Sequence, residues 1–237
     1  MLFNIIKLEE VDSTNKYAKD NIGVLNNFDV IFTKRQTSGR GRMNRVWEAN
    51  EDSLAFSIVI KDSVLLNDFE SISLISAAAV FKAVREICED VSIKWPNDVY
   101  IGSKKVCGIL LEGVSFNKLE GIIIGIGVNV NNKSLPLDRA TSLYLETNQE
   151  YDISSVLNAI LNYFNDLLNK HLNDDNEYLR IINCFNYLKG KEAYAEIDGI
   201  KQLVQIHNVL DNNHLVVTIN GIKKEISTGE ISFHLSD

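Results

Sequence analysis

The chain has 237 residues, 45% of them hydrophobic and 24% charged, with a formal net charge of −8. That length suits one large domain or a medium domain plus a small one, and it supports a core without disulfide or metal staples. The composition excludes disordered, collagen-like and coiled-coil chains, and the negative balance argues against a general nucleic-acid binder, which presents a positive face.

Residues 2–8 read as a strand, and Ser13-Thr14-Asn15 offers an N-cap for a helix carrying Tyr17, Ala18, Ile22 and Leu25. A strand at 29–34 leads into residues 35–48, which lack periodicity and read as a loop. Residues 53–61 form an apolar strand, and 69–88 form a helix with Ile72, Ile75, Ala79, Val80, Ala83, Val84 and Ile87 on a buried face. Strands follow near 91–95, 98–101, 105–113 and 119–130, with Gly102-Ser103 as a tight turn, and residues 131–142 form a polar loop. Two helices cover about 153–172 and 175–188. Beyond Gly190, short strands alternate with turn signals at Asp198-Gly199, Asp211-Asn212-Asn213, Asn220-Gly221 and Thr228-Gly229. The expected architecture is α+β: a mixed, mostly antiparallel sheet with helices over residues 1–188, then a small β-barrel over 189–237.

Cys88, Cys107 and Cys184 are dispersed, with no Cys-x-x-Cys pair, which points away from a zinc site or disulfide framework and towards the reducing cytoplasm. The short apolar start, Met1 to Ile6, has no basic region before it and is not a signal peptide, and no run of 18 apolar residues spans a membrane.

The charge is unevenly spread. Of seven arginines, four (Arg35, Arg40, Arg42, Arg45) fall in one eleven-residue stretch that holds no acid. Its glycines, Gly39 and Gly41, permit close approach of backbone to a ligand, and its guanidinium groups bind carboxylate or phosphate oxygens in pairs. Trp47 adds a flat face for a purine or for the core. The stretch is neither a P-loop nor a dinucleotide fingerprint. A solvated basic loop is the competing explanation. A second cluster, Lys94-Trp95-Pro96-Asn97-Asp98, reads either as an ordinary turn or as a presented pair of polar side chains at a strand end. In a third, Lys104 to Glu112, simple alternation puts Lys105, Cys107 and Ile109 on one face, while Gly108 marks a close approach.

Ser13-Thr-Asn15, Gln36-x-x-Gly-Arg-Gly-Arg42 with Trp47, Lys94-Trp-Pro-Asn-Asp98, Lys105-Val-Cys-Gly-Ile-Leu-Leu-Glu112 and Gly125-Ile-Gly-Val-Asn129 occur in this order. In that order they resemble the biotin protein ligases, also called biotin–[acetyl-CoA-carboxylase] ligases, in the short form without an N-terminal DNA-binding domain. The resemblance implies a class II synthetase-like, biotin–lipoyl ligase-like catalytic domain followed by an SH3-like domain. It implies a two-step reaction: biotin and MgATP give biotinyl-5′-AMP, and biotin then passes to one lysine of a biotin carboxyl carrier domain. Carried over by position, Ser13, Thr14, Asn15, Gln36, Gly39, Arg40, Gly41, Arg42, Lys105 and Gly108 hold biotin. Arg42, Arg45, Trp47, Lys94, Asn97, Lys105 and Asn129 hold ATP, and Lys105, Arg40, Arg42 and Asp98 carry the chemistry. Magnesium arrives with the nucleotide, and no residue is assigned as a resident metal ligand. The expected partners exclude DNA and membrane and leave a homodimer open.

The chain departs from the family pattern at Asn44, where Gly is usual, at Cys107, where Ala is frequent, and in the absence of glycines near 201–206. A lipoate or octanoyl ligase or transferase of the same superfamily is the alternative, although its Arg-x-x-Gly-Gly-Gly type loop is missing. An RNA-holding module conflicts with the net charge, and an inactive ligase with the intact cations. Two glycines and repelling cations in residues 36–46 lead us to expect a loop that moves without ligand and orders on it.

Overall fold

The computed structural model describes residues 2–42, 45–197, 200–227 and 233–235. Strands β1 (Asn4–Val11), β2 (Asp29–Gln36), β3 (Ser53–Ile60), β4 (Val91–Lys94), β5 (Asp98–Ile101), β6 (Lys104–Ser115) and β7 (Leu119–Asn129) form one seven-stranded sheet in the order β1-β2-β3-β7-β6-β5-β4. Only β1 and β2 run parallel; the other neighbours are antiparallel. The parallel pair requires a crossover, which helix α1 (Thr14–Asp20) supplies.

Strand β3 lies inside the sheet between β2 and β7, and its largely apolar run Ser-Leu-Ala-Phe-Ser-Ile-Val-Ile suits burial on both faces: all eight residues are buried. One face of the sheet carries helices α2 (Phe69–Arg85), α4 (Ile153–His171) and α5 (Glu177–Cys184). Helix α2 is buried nearly all round through Ser71–Phe81, so it forms the middle layer, and amphipathic α4 covers it with Val156, Leu157, Ile160, Leu161, Phe164, Leu167 and Leu168. The opposite face is covered only in part: Ala18, Ile22 and Leu25 pack on Ile31, Val59 and Ile123. The rest of that face is where the cleft opens. No helix among the described residues is long and apolar enough to cross a membrane.

The observed elements depart from the sequence expectations at their ends. Helix α2 stops at Arg85 because Ile87 and Cys88 both donate to the Val84 carbonyl, a tightening final turn. Helix α5 ends at Cys184, four residues early. Residues 185–187 instead run along β4, with Ile93 donating to Phe185 O and Tyr187 to Ile93 O, because an edge strand presents unpaired backbone groups. Strand β2 extends to Gln36, two residues into the expected loop. A short helix, α3 (Leu143–Thr147), forms where no element was expected, capped by Ser142 Oγ on Leu145 N.

A second antiparallel sheet holds β8 (Glu192–Ile197), β9 (Ile200–Val209), β10 (Leu215–Ile219), β11 (Ile222–Ile226) and β12 (Phe233–Leu235), in the order β11-β10-β9-β8-β12. Two of its expected turns are present: Asn213 at φ 67°, and Asn220-Gly221 at φ 49° and 80°. The Asp198-Gly199 and Thr228-Gly229 turns lie outside the described residues. Asn213 joins this sheet to α2 by donating to Ser71 Oγ and accepting from the Tyr178 hydroxyl.

Candidate active site

The cleft exists because β6 and β7 carry glycine where other strands carry side chains. In β7 the even-numbered residues Ile122 to Val128 enter the large core, leaving Gly125 and Gly127 on the open face. A Cβ at Gly125 would stand 2.3 Å from Asn15 Oδ1, and one at Gly127 2.3 Å from Trp47 Nε1. Gly108, paired with Gly127 across the ladder, would place its Cβ 3.0 Å from Lys105 Nζ and 3.1 Å from the Trp47 ring. Glycine at these positions is therefore a requirement of space rather than of backbone angle.

The face shared by Lys105 differs from the one that simple alternation gives. Val99 pairs with Cys107 but Tyr100 pairs with Lys105, so Val106 is an extra residue in β6. The bulge shifts the phase: Lys105 joins Gly108 on the cleft side, while Cys107 is fully buried in the core, where burial pushes its thiol up.

The walls enclose a cavity of about 960 Å³. One end is neutral and tightly hydrogen-bonded. Ser13 caps α1, its Oγ accepting from Lys16 N, and this fixes Thr14 and Asn15 in the first turn. Thr14 N donates to Gln36 Oε1 at 2.8 Å, where the end of β2 meets the start of α1. Ser57 Oγ on β3 lies 2.7 Å from Thr14 Oγ1 and 2.6 Å from Asn15 Oδ1.

The other end is cationic. Arg40, Arg42, Arg45, Lys94 and Lys105 all line it, together with Asp98, whose Oδ1 is 2.7 Å from Lys105 Nζ. Asn97, after the cis Trp95–Pro96 bond, is anchored at both ends on β6: its side chain donates to Ile109 O, and its carbonyl accepts from Ile109 N. Its remaining side-chain oxygen accepts from Arg42 Nη1 at 3.0 Å, so this turn aims an arginine. Burial pushes Lys94 down against the pull of Asp98, and the neighbouring Lys105, Arg139 and Arg45 add to the fall. Arg42 is pushed down by burial and by Arg45 against Asp98, and as a guanidinium it stays charged.

The arginine loop folds back on itself. Gln36 bridges Ala49, Arg40 bridges Val46, Gly41 N donates to Arg45 O and Trp47 N to Gly39 O. Asn44 lies outside the described residues. Gly39 is off the cavity wall; its Cβ would fall 2.2 Å from the Trp47 carbonyl oxygen, so it serves the hairpin. The other expected site residues line the cavity, Asn129 included, although its side-chain amide donates to Thr141 O. The Trp47 Nε1 donor is buried without a partner among the described residues.

Several wall residues carried no legible sequence signal. Arg139 sits in the loop expected to be merely polar, held there because Lys105 N donates to Arg139 O and Thr141 N to Lys105 O. Tyr100 stacks on Tyr187 with centroids 4.7 Å apart, and Tyr194 and Lys201 close the wall from the second sheet. Among the described residues, no three His, Cys, Asp or Glu side chains cluster as a metal site.

Residues 8–129 match the model of the biotin/lipoate A/B protein ligase family. The chain is 32% identical over 170 residues to the bifunctional ligase/repressor BirA of Bacillus spizizenii, covering 67% of this chain and 51% of that protein. It is 32% identical over 127 residues to the biotin–[acetyl-CoA-carboxylase] ligase of Paracoccus denitrificans, covering 52% and 53%. The chain thus spans about half the length of these curated relatives. The solved biotin protein ligase of Aquifex aeolicus in complex with biotin and ATP superposes with a TM-score of 0.89 at 31% identity, over 99% of this chain and all of that one.

Proposed function

From the premise that the chain belongs to the biotin/lipoate A/B protein ligase family, we propose that it is a biotin protein ligase acting on a biotin carboxyl carrier domain. One observation carries the reading: a neutral hydrogen-bonding end and a cation cluster share one glycine-floored cavity. The Leu110–Gly125 and Gly108–Gly127 pairs lie two residues apart, about 7 Å along the strands. That spacing suits a compact polar head at Asn15 and a carboxylate reaching Lys105.

The head contacts proposed are Ser13, Thr14, Asn15 and Gln36, with Arg40, Gly41 and Arg42 wrapping the chain and carboxylate. The nucleotide lies towards Arg45, Lys94, Asn97 and Asn129, with Trp47, whose ring packs over the Gly108 and Gly127 floor, beside it. In the first step a biotin carboxylate oxygen bonds to the α-phosphorus of ATP, and pyrophosphate leaves. Two unit charges 4 Å apart repel by about 4 kcal/mol at an effective dielectric near 20. Lys105, paired with Asp98, and Arg42, aimed by Asn97, offset that repulsion and stabilise the charge of the transition state. In the second step the carrier lysine amine attacks the acyl carbon, AMP leaves and a proton is released. Asp98, 2.7 Å from Lys105, is the carboxylate placed to hold the incoming amine. Magnesium suits an all-oxygen donor set built mainly from phosphates, with Asp98 as the nearby protein oxygen.

The test is mass spectrometry of a carrier domain incubated with protein, ATP and either biotin or lipoate. A biotin increment is expected, slowed at least about 100-fold in Lys105→Ala. A lipoyl increment, or none with either acid, overturns the proposal.

A further inference from the structure

Behind the neutral end lies a carboxylate that does not line the cavity. Glu112, on β6, accepts from Asn15 Nδ2 at 2.8 Å through one oxygen, and from Lys19 Nζ at 2.7 Å through the other. Asn15 Nδ2 also lies 3.3 Å from Leu110 O, a second pure acceptor. The Asn15 amide therefore has one orientation. Turned over, its oxygen would face a carboxylate and a carbonyl, with no proton between them.

That orientation propagates. Asn15 Oδ1 has no proton, so the 2.6 Å contact with Ser57 is bridged by the Ser57 proton. A hydroxyl carries one proton, and that of Ser57 is now spent. The 2.7 Å contact between Ser57 and Thr14 must then be bridged by the Thr14 hydroxyl proton. Gln36 Oε1, 3.2 Å from Thr14 Oγ1, is satisfied instead by Thr14 N–H at 2.8 Å. The result is a directed chain, Thr14 to Ser57 to Asn15 to Glu112. It leaves the remaining lone pairs of Thr14 Oγ1 and Asn15 Oδ1 as acceptors for the cavity.

We infer that Glu112 is a positioning residue that sets the hydrogen-bond direction of the head pocket, making it an acceptor surface for ligand N–H donors. The inference rests on the biotin reading, since the ureido ring of biotin brings two such donors. Removing Glu112 leaves the longer 3.3 Å contact to Leu110 O to oppose the turn; once Asn15 turns over, the three-member chain reverses, the Asn15 acceptor is lost to the cavity, and the Thr14 proton is released towards Gln36 Oε1 or the ligand. Lys19 neutralises Glu112 but takes no part in the direction, because an ammonium only donates.

The experiment measures steady-state kinetics and calorimetric biotin binding for wild type, Glu112→Ala, Glu112→Gln, Lys19→Ala and Ser57→Ala. Glu112→Ala is expected to raise the biotin KM and Kd about tenfold, with kcat at saturating biotin and the ATP KM changing less than about twofold. Glu112→Gln, whose amide oxygen still accepts from Asn15, restores biotin binding to within about threefold of wild type, and Lys19→Ala to within about twofold. If Glu112→Ala does not fold, Ser57→Ala interrupts the same chain and is expected to show the same split. An unchanged biotin KM in both variants, an equal loss in Glu112→Gln, or a parallel rise in the ATP KM overturns the inference while leaving the ligase reading intact. A wild type that binds no biotin overturns both.

Discussion

The two ends of the cavity are built by different means. The neutral end stands on regular structure: the first turn of α1, the end of β2, and interior positions of β3 and β6. Ser13, Thr14 and Asn15 are buried and held by backbone and side-chain bonds. The cationic end stands largely on connecting segments: the 36–49 hairpin, the turn at 95–97 and the loop that carries Arg139. Arg40, Arg45 and Arg139 are exposed, and Lys94, Arg42 and Lys105 are half-buried. A neutral head needs donors and acceptors fixed to fractions of an ångström, which strands and helix starts provide. An anionic substrate needs positive charge, whose field tolerates looser placement. The like charges repel one another less when they are borne on separate segments near water.

The largest effect is expected at the neutral end. Gly125→Ala puts a Cβ 2.3 Å from Asn15 Oδ1. It should weaken biotin binding by about 2 kcal/mol, roughly thirtyfold, while ATP binding changes little. Calorimetric titration with each ligand decides it, and equal weakening of both would show that the ends are one unit. A smaller effect is expected at the cationic end. Arg45→Ala should raise the ATP KM about fivefold at low salt and by less at high salt, with biotin affinity unchanged. An effect independent of ionic strength would mean that Arg45 acts by contact geometry and not by field.

The smallest effect is a pH slope. Burial and neighbouring cations lower the pKa of Lys94, so it loses its proton earlier on the alkaline side than an ordinary lysine. A nucleotide binds the charged form better, so the ATP KM should rise about two- to threefold as the pH climbs from about 8 to 10. Biotin binding at the neutral end should stay flat over the same range. Lys94→Arg, which keeps its charge, should remove the rise. A rise that persists in that variant assigns it to another group.

What could be read from the residues alone was mostly local. The Ser13 cap, the apolar β3, the amphipathic α4 and the Asn-Gly turn each satisfy a rule that operates over a few residues. The gathering of arginines between Lys34 and Arg45 was visible because an acid-free basic run in an acidic chain is unusual. The phase of Lys105 was not legible, because the bulge at Val106 is set by how β5 meets β6 and not by the composition of β6. Nor were Arg139, Tyr187, Tyr194 and Lys201, which reach the cavity from distant elements and belong to no local pattern. Helix α5 was overextended for a similar reason: its last turn competes with a strand edge that only the folded sheet presents.

Most elements and the chemistry available follow from local rules, since helix caps, apolar periods and charge runs act between near neighbours. Which of those groups face one another is settled by the packing of the whole fold. It set Glu112 behind Asn15, opened the cleft over Gly108, Gly125 and Gly127, and turned Lys105 into the cleft rather than the core. Pairing register and packing are cooperative properties of strands far apart in the chain. One extra residue in a single strand is enough to exchange its two faces.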